Sequence, residues 1–455
     1  MSRRNLIWMC VILAAVIVMV CVAGPKPRPV PATDPDAEAL AEAVRAYKVL
    51  RQKSYQPPAP AEACRGAIEG MARCVDEHSC YLCPDEAARL GRRLGGKLCE
   101  TGLRVAERGG RITIVGALPD SPAHKAALHA GMEVEAINGV EAKYLTAAEA
   151  DEILRGADAP VMLKWRTASG SRVQELDPDE FNAETVLGLV RDAEGRWRFD
   201  LDERGLYYIR ITEFVPHTPG AFHEAYRSLS EPRGLVLDLR GNPGGQLQMA
   251  AEIADRFLSA GEIVRTVHGG GRPYVHHAYP TGTYPPVPLV VLIDERTASA
   301  AEILAGALRI HRRALLVGRP SYGKWSVQTA VPLGGGQGTL YLTTGRYVLP
   351  APEPTTTAAA TRPAGNPGDL PDRVLPDVDV RLTAQAARRL ERLWLGAMVM
   401  PAPPGEATMG EDLSRLRRDL LGGDRQLAAA VKLLLDGQAD PERIAASRPA
   451  RGAAP

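Results

Sequence analysis

The chain has 455 residues, 45% of them hydrophobic, enough for a sizeable core divided into about two or three domains. Lys and Arg number 55 against 54 Asp and Glu, a formal net charge of +1, so no overall field draws the chain to nucleic acid or to an anionic surface. From the N-terminus, Arg3 and Arg4 precede an apolar run from Leu6 to Ala23, with no further charge until Lys26. Residues 1–24 read as a signal anchor or as a signal peptide cleaved after Cys21-Val22-Ala23; either reading exports the body of the chain.

Residues 25–36, Pro25-Lys-Pro-Arg-Pro-Val-Pro-Ala-Thr-Asp-Pro and Asp36, form a stiff polyproline-like linker. A helical pattern then covers 37–94, broken at Pro57-Pro58-Ala59-Pro60. This segment and the residues just after it hold Cys64, Cys74, Cys80, Cys83 and Cys99. An exported compartment permits disulfides, which are expected here with one cysteine left over; free buried thiols are the alternative. Cys80-Tyr-Leu-Cys83 has the spacing of a metal knuckle, but no second ligand pair accompanies it, so no metal or other cofactor is assigned.

Short strand patterns follow over 95–168, at Leu103–Val105, Ile112–Val115, Val134–Ile137 and Val161–Trp165. Over 169–381 apolar strands alternate with helical stretches, as in an α/β sheet: Tyr207–Ile211, Gly234–Leu239, Val287–Ile293 and Ala314–Val317. Such uninterrupted apolar runs predict strands buried on both faces. A Pro/Thr/Ala-rich loop occupies 350–372, and residues 382–455 read as a helical extension with a polar tail.

Three blocks carry candidate chemistry. In Asp294-Glu-Arg-Thr-Ala-Ser-Ala-Ala-Glu302 an apolar strand gives way to a helix, and Ser299 falls near the helix start, where the Ala300 amide has no intrahelical partner and could receive an oxyanion. The same Ser299-x-x-Glu302 pattern also reads as a plain capping box. In Gly318-Arg-Pro-Ser-Tyr-Gly-Lys-Trp-Ser-Val-Gln328, Lys324 lies among Tyr322, Trp325 and Val327, whose burial would free its amine to act as a base; otherwise it is a surface lysine. Gln328, four residues on, would share a strand face with Lys324 and orient it. In Gly234-Leu-Val-Leu-Asp-Leu-Arg-Gly-Asn-Pro-Gly-Gly-Gln246, the paired glycines suit a second oxyanion donor, at Gly244 or Gly245.

Asp238–Gly245, Thr297–Glu302 and Gly323–Gln328, in this order and spacing, resemble the signature of the C-terminal processing (tail-specific) peptidases, the S41 family. The likeness continues through Leu342–Pro350 and Leu375–Val378 and spans about 65–380. It implies a multidomain α/β (α+β) fold with a mixed-sheet, ClpP/crotonase-like core. It also implies Ser299 as nucleophile, Lys324 as general base, Gln328 as the residue positioning it, and Ala300 with Gly244 or Gly245 as oxyanion hole. Where the family carries a small residue after the lysine, this chain has Trp325. Residues 95–168 resemble a PDZ domain through Leu118–Ala123 and Leu128–Gly139, which implies capture of a peptide C-terminus near Thr101, Gly102, Leu103 and Arg104. Ala127 and Met132 depart from that domain's usual glycine and aspartate. The implied partners are proteins with exposed C-terminal tails, the membrane through the apolar run, and an activator or adaptor protein. A Ser-His-Asp hydrolase finds no Gly-x-Ser-x-Gly elbow here and a metalloprotease no His-Glu-x-x-His, which leaves a catalytically inactive PDZ scaffold as the alternative.

Overall fold

The computed structural model describes residues 35–446 except 157, 168–169, 193, 336–337, 351–372 and 401–412. The apolar run, nearly all of the Pro-rich linker, the loop at 351–372 and the tail beyond 446 lie outside the described residues. No described helix is long and apolar enough to cross a membrane.

The chain divides into two compact units, 1–74 and 75–455. In the first, α1 (Pro35–Lys53) has Asp36 and Glu38 in its first turn and Arg51 and Lys53 in its last, matching the helix dipole. After the proline break, α2 (Pro60–Arg73) starts with Pro60, whose missing N–H costs nothing at that position.

The second unit begins with a correction to the helical reading of 37–94: Cys80–Leu82 forms a strand, β1, before α3 (Pro84–Leu94). The open edge of a long strand at 339–348 supplies β1 with backbone partners, which outweighs a weak local helical preference. The cysteines need a second correction. Among the described residues, Cys64, Cys74, Cys80, Cys83 and Cys99 form no disulfide, in contrast to the pairing expected.

Residues 95–182 build a small β domain. β2 (Lys97–Glu100) leads in, and β3 (Leu103–Arg108), β4 (Arg111–Ala117), β5 (Glu133–Ile137), β6 (Val161–Thr167) and β7 (Gly170–Leu176) form an antiparallel sheet in that order. β8 (Asp179–Asn182) returns to pair with β2, which ties the two ends of the insertion together. β6 alternates buried and exposed residues, and Leu103, Ile114, Ile137, Leu154 and Leu163 are fully buried in the core beneath. The helix α4 (Ala147–Arg155) packs along β3, with Thr146 and Glu149 exchanging capping bonds at its start.

The larger domain contains a six-stranded sheet in the order β9 (Val186–Leu187), β10 (Leu206–Ile211), β11 (Gly234–Asp238), β14 (Leu289–Ile293), β15 (Leu315–Gly318) and β18 (Val378–Asp379), parallel from β10 onward. All residues of β11 and β14 are buried. Helices α5 (Thr218–Arg227), α6 (Leu247–Phe257) and α7 (Ala300–Ile310) cover one face. The other face is covered by α8 (Ala384–Met398), α9 (Leu413–Gly423) and α10 (Arg425–Leu435), through Leu390, Trp394, Leu420, Leu427 and Leu434. The C-terminal segment is therefore the second outer layer of an α/β sandwich, because strands apolar on both faces require cover on both. A further antiparallel sheet orders β1, β17 (Thr339–Val348), β12 (Gly261–His268) and β13 (Tyr274–Ala278), with β16 (Ser326–Pro332) also paired to β17.

Candidate active site

Ser299 stands between β14 and α7, as the N-cap of the helix, with φ 54° and ψ −120°. A non-glycine residue rarely adopts positive φ, and the surrounding contacts must hold it there. Two sets of contacts do so. The Ser299 main-chain N–H donates to Oε2 of Glu302 at 2.8 Å, the half of the capping box that the sequence suggested. On the preceding side, Ala298 N–H donates to the Asn242 carbonyl at 3.0 Å, and Thr297 Oγ1 donates to the Leu239 carbonyl at 2.9 Å. The strand-to-helix turn is thereby stitched to the loop that follows β11.

That loop approaches Ser299 closely. A Cβ on Gly244 would lie 2.8 Å from the Ser299 Cβ, 2.9 Å from the Ala298 carbonyl oxygen and 3.0 Å from the Ala300 nitrogen, so only glycine fits. At Gly245 a Cβ would meet the Phe214 carbonyl oxygen at 2.2 Å, and φ is +126°. The two glycines differ in one respect. The Gly244 N–H donates to Asn242 Oδ1 at 2.8 Å, whereas the N–H groups of Gly245 and Ala300 make no hydrogen bond among the described residues.

Lys324 lies in the irregular stretch before β16, not within the strand. The stretch is drawn to Ser299 by the same carboxylate. Glu302 is fully buried, and its two oxygens accept four bonds: Ser299 N–H and Lys324 N–H on Oε2, and Ser321 Oγ and Gly323 N–H on Oε1. Tyr322 N–H adds a bond to the Thr297 carbonyl at 2.9 Å. Burial pushes the Glu302 carboxyl above its ordinary value, while the donors around it favour the ionised form. Burial also pushes the Lys324 ammonium below the ordinary lysine value, and the carboxylate of Asp76 acts in the opposite direction. The Lys324 amine makes no hydrogen bond or close ion pair among the described residues.

Gln328 is engaged differently from the expectation. Its amide nitrogen donates to Ser326 Oγ at 2.6 Å and Thr343 Oγ1 at 3.2 Å. Because Lys324 precedes the strand, the alternation of side chains assumed for both residues does not extend to it, and no Lys324–Gln328 bond forms. Thr343 N–H donates in turn to Ser79 Oγ at 3.1 Å, and Asp76 is held below the ordinary carboxylate value by hydrogen bonds that include Thr343 and Ser79, against burial acting to raise it. Trp325 is buried in the main core, and its indole N–H has no partner among the described residues.

Behind the glycine loop lies a buried polar cluster that sequence reasoning missed. Asp238 at the end of β11 accepts from Tyr208 Oη at 2.6 Å and pairs with Arg240, which also pairs with Asp424 at 2.7 Å. Burial would raise the Asp238 carboxyl, but the Arg240 guanidinium outweighs it and holds Asp238 low. The signal available in the sequence was the charge pair at the end of an apolar strand; its partner Asp424 lies 184 residues away.

In the small β domain, Thr101, Gly102, Leu103 and Arg104, the expected carboxylate-binding residues, are all buried. Thr101 Oγ1 donates to the Leu154 carbonyl at 2.9 Å, and Arg104 pairs with the buried Glu100 at 2.5 Å. The structure thus places these four residues inside the domain, closed off by the end of α4.

The profile described as Peptidase family S41 matches residues 205–363. A carboxy-terminal-processing protease of Bartonella bacilliformis is 32% identical over 313 residues, covering 67% of this chain and 70% of that protein. A carboxyl-terminal-processing protease of Synechocystis is 32% identical over 308 residues, covering 66% and 71%. The carboxy-terminal processing protease CtpA of Bacillus subtilis is 29% identical over 310 residues, covering 67% and 64%.

Proposed function

The chain belongs to peptidase family S41 and is a serine-type peptidase, and from that premise we propose that Ser299 and Lys324 form its catalytic pair. The Ser299 conformation carries the reading: a strained serine, pressed against Gly244 and flanked by two unused N–H groups, is costly unless the strain serves chemistry.

In the proposed reaction the neutral Lys324 amine takes the Ser299 hydroxyl proton as Oγ attacks the peptide carbonyl carbon. The oxyanion accepts from the Ala300 and Gly245 amides, with Gly244 providing the close approach. The peptide C–N bond then breaks as the protonated lysine returns its proton to the leaving amine, and water repeats the sequence on the acyl-enzyme. Gln328 orients the lysine through its carbonyl oxygen, which makes no hydrogen bond among the described residues. Substrates are exported proteins cut near their C-termini, their tails added to the edge strand β3 of the PDZ-like domain over 95–168. Binding of a terminal carboxylate by Thr101, Gly102, Leu103 and Arg104 requires the Glu100–Arg104 pair to move, so that domain gates access as well as selecting tails. The apolar run at 1–24 places the body in the cell envelope, anchored or released.

The test is cleavage of an unstructured protein with an apolar tail by wild type, Ser299→Ala and Lys324→Ala. Activity lost in both variants, with folding unchanged, supports the catalytic pair. Cleavage surviving in Ser299→Ala overturns it.

A further inference from the structure

The carboxyl ends of the parallel strands carry an unusual set of charges. Arg210 is the penultimate residue of β10, and the residues just past β11, β14, β15 and β18 include Arg240, Arg296, Arg319 and Arg381. These five arginines line one cleft of about 680 Å³. In open α/β sheets the crevice outside the carboxyl ends of the strands is where ligands bind. α8 lines the same cleft, with apolar Leu390, Trp394, Leu395 and Met398 beside Glu391.

Three of the five guanidiniums are neutralised within the protein. Arg240 pairs with Asp238 and Asp424, Arg319 with Glu295 and Asp379, and Arg296 with Glu391 and, at 3.6 Å, Asp294. Two are not. Arg210 lies over the Trp394 ring at 4.6 Å and donates to the Arg240 carbonyl at 3.2 Å, but its Nε is buried with no partner. Arg381 makes no hydrogen bond or ion pair among the described residues. The Nη2 atoms of Arg210 and Arg296 also converge: both would lie 3.7 Å from a Cβ on Gly241. Converging like charges, in one cleft with Arg381 and the apolar side chains of α8, fit a ligand that brings a negative head and an apolar body.

We infer that this cleft binds a small amphipathic carboxylate, its head among Arg210, Arg296 and Arg381 and its apolar part against Leu390 and Trp394. Such chemistry is shared by a short peptide with a free C-terminus and by a medium-chain fatty acid. The site reaches Ser299 through the loops: Gly241 N–H donates to Asp294 Oδ1 at 2.8 Å, and Asp294 N–H donates to Thr297 Oγ1 at 2.9 Å.

Calorimetric titration of the full chain tests the assignment, with octanoate and N-acetyl-Ala-Leu-Val as acids and the corresponding amides as controls. Binding of at least one acid, about tenfold tighter than its amide and weakened about tenfold in Arg381→Ala, is the expected result; whichever acid binds more tightly identifies the source. Arg381 is exposed and makes no ion pair among the described residues, so its replacement leaves folding intact, and Arg381→Lys restores part of the affinity. Acids bound no better than amides, no binding by either acid, or equal affinity in Arg381→Ala overturns the inference. These are binding readouts, independent of the role given to Ser299.

Discussion

Glu302 Oε2 accepts the main-chain N–H of Ser299 and that of Lys324, each at 2.8 Å, so a single buried carboxylate fixes the backbone of both members of the proposed catalytic pair. A capping interaction has thereby become a clamp between two loops. Its energetic weight follows from the donors it would abandon: each buried N–H left without an acceptor costs about 1–3 kcal/mol.

Glu302→Ala is accordingly expected to destabilise the protein by about 3 kcal/mol or more and to abolish cleavage. Glu302→Gln preserves shape but presents a donor where an N–H must be accepted. It is expected to lower kcat about 10–100-fold with KM changed far less, because the substrate does not touch this residue. Urea unfolding and steady-state kinetics on the two variants measure the two effects separately.

The pH dependence follows from the sign of the Lys324 shift. The reaction needs the neutral amine, and burial lowers the lysine's pKa, so kcat/KM rises with pH and reaches half its limit below the ordinary value of 10.5. Asp76 opposes that shift by favouring the ammonium form. Asp76→Asn is expected to move the midpoint of the profile to lower pH, and added salt to produce part of the same movement in the wild type, since Asp76 is only partly buried. A midpoint moving upward in Asp76→Asn contradicts this account.

Gly244→Ala would place a methyl group 2.8 Å from the Ser299 Cβ, at a φ of +105°. Loss of about 100-fold or more in kcat is expected, from displacement of Ser299 relative to the two free amides. The same substitution at Gly220, which has nothing within 4 Å, serves as the control and should leave cleavage unchanged.

Asp424, 1% exposed, compensates the buried Arg240 from the far C-terminal layer. Asp424→Ala leaves that guanidinium with Asp238 and Gln426 alone and is expected to cost about 3 kcal/mol in chemical denaturation. Asp424→Asn, which keeps the cap on α10, should cost less. The effect would show that the C-terminal helices belong to the folding unit of the peptidase.

The sequence alone determined the parts whose signals are local. Apolar runs such as Leu289–Ile293 predict strands buried on both faces, and Ser299 with Glu302 three residues later predicts a helix start, as both are in the fold. The resemblance to family S41 likewise rests on short local blocks, Asp238–Gly245, Thr297–Glu302 and Gly323–Gln328. What tertiary structure decided depended on partners remote in the chain. Cys80–Leu82 became a strand because β17 offered an edge, Glu302 became a clamp because the loop at 321–324 folded onto it, and Arg240 found Asp424 across the sheet. The closure of Thr101 into the small domain was equally beyond local reading, since its partner Leu154 meets it only once α4 packs along β3. Hydrophobic periodicity reports which face a residue presents; it carries no information about which distant polar group will satisfy it.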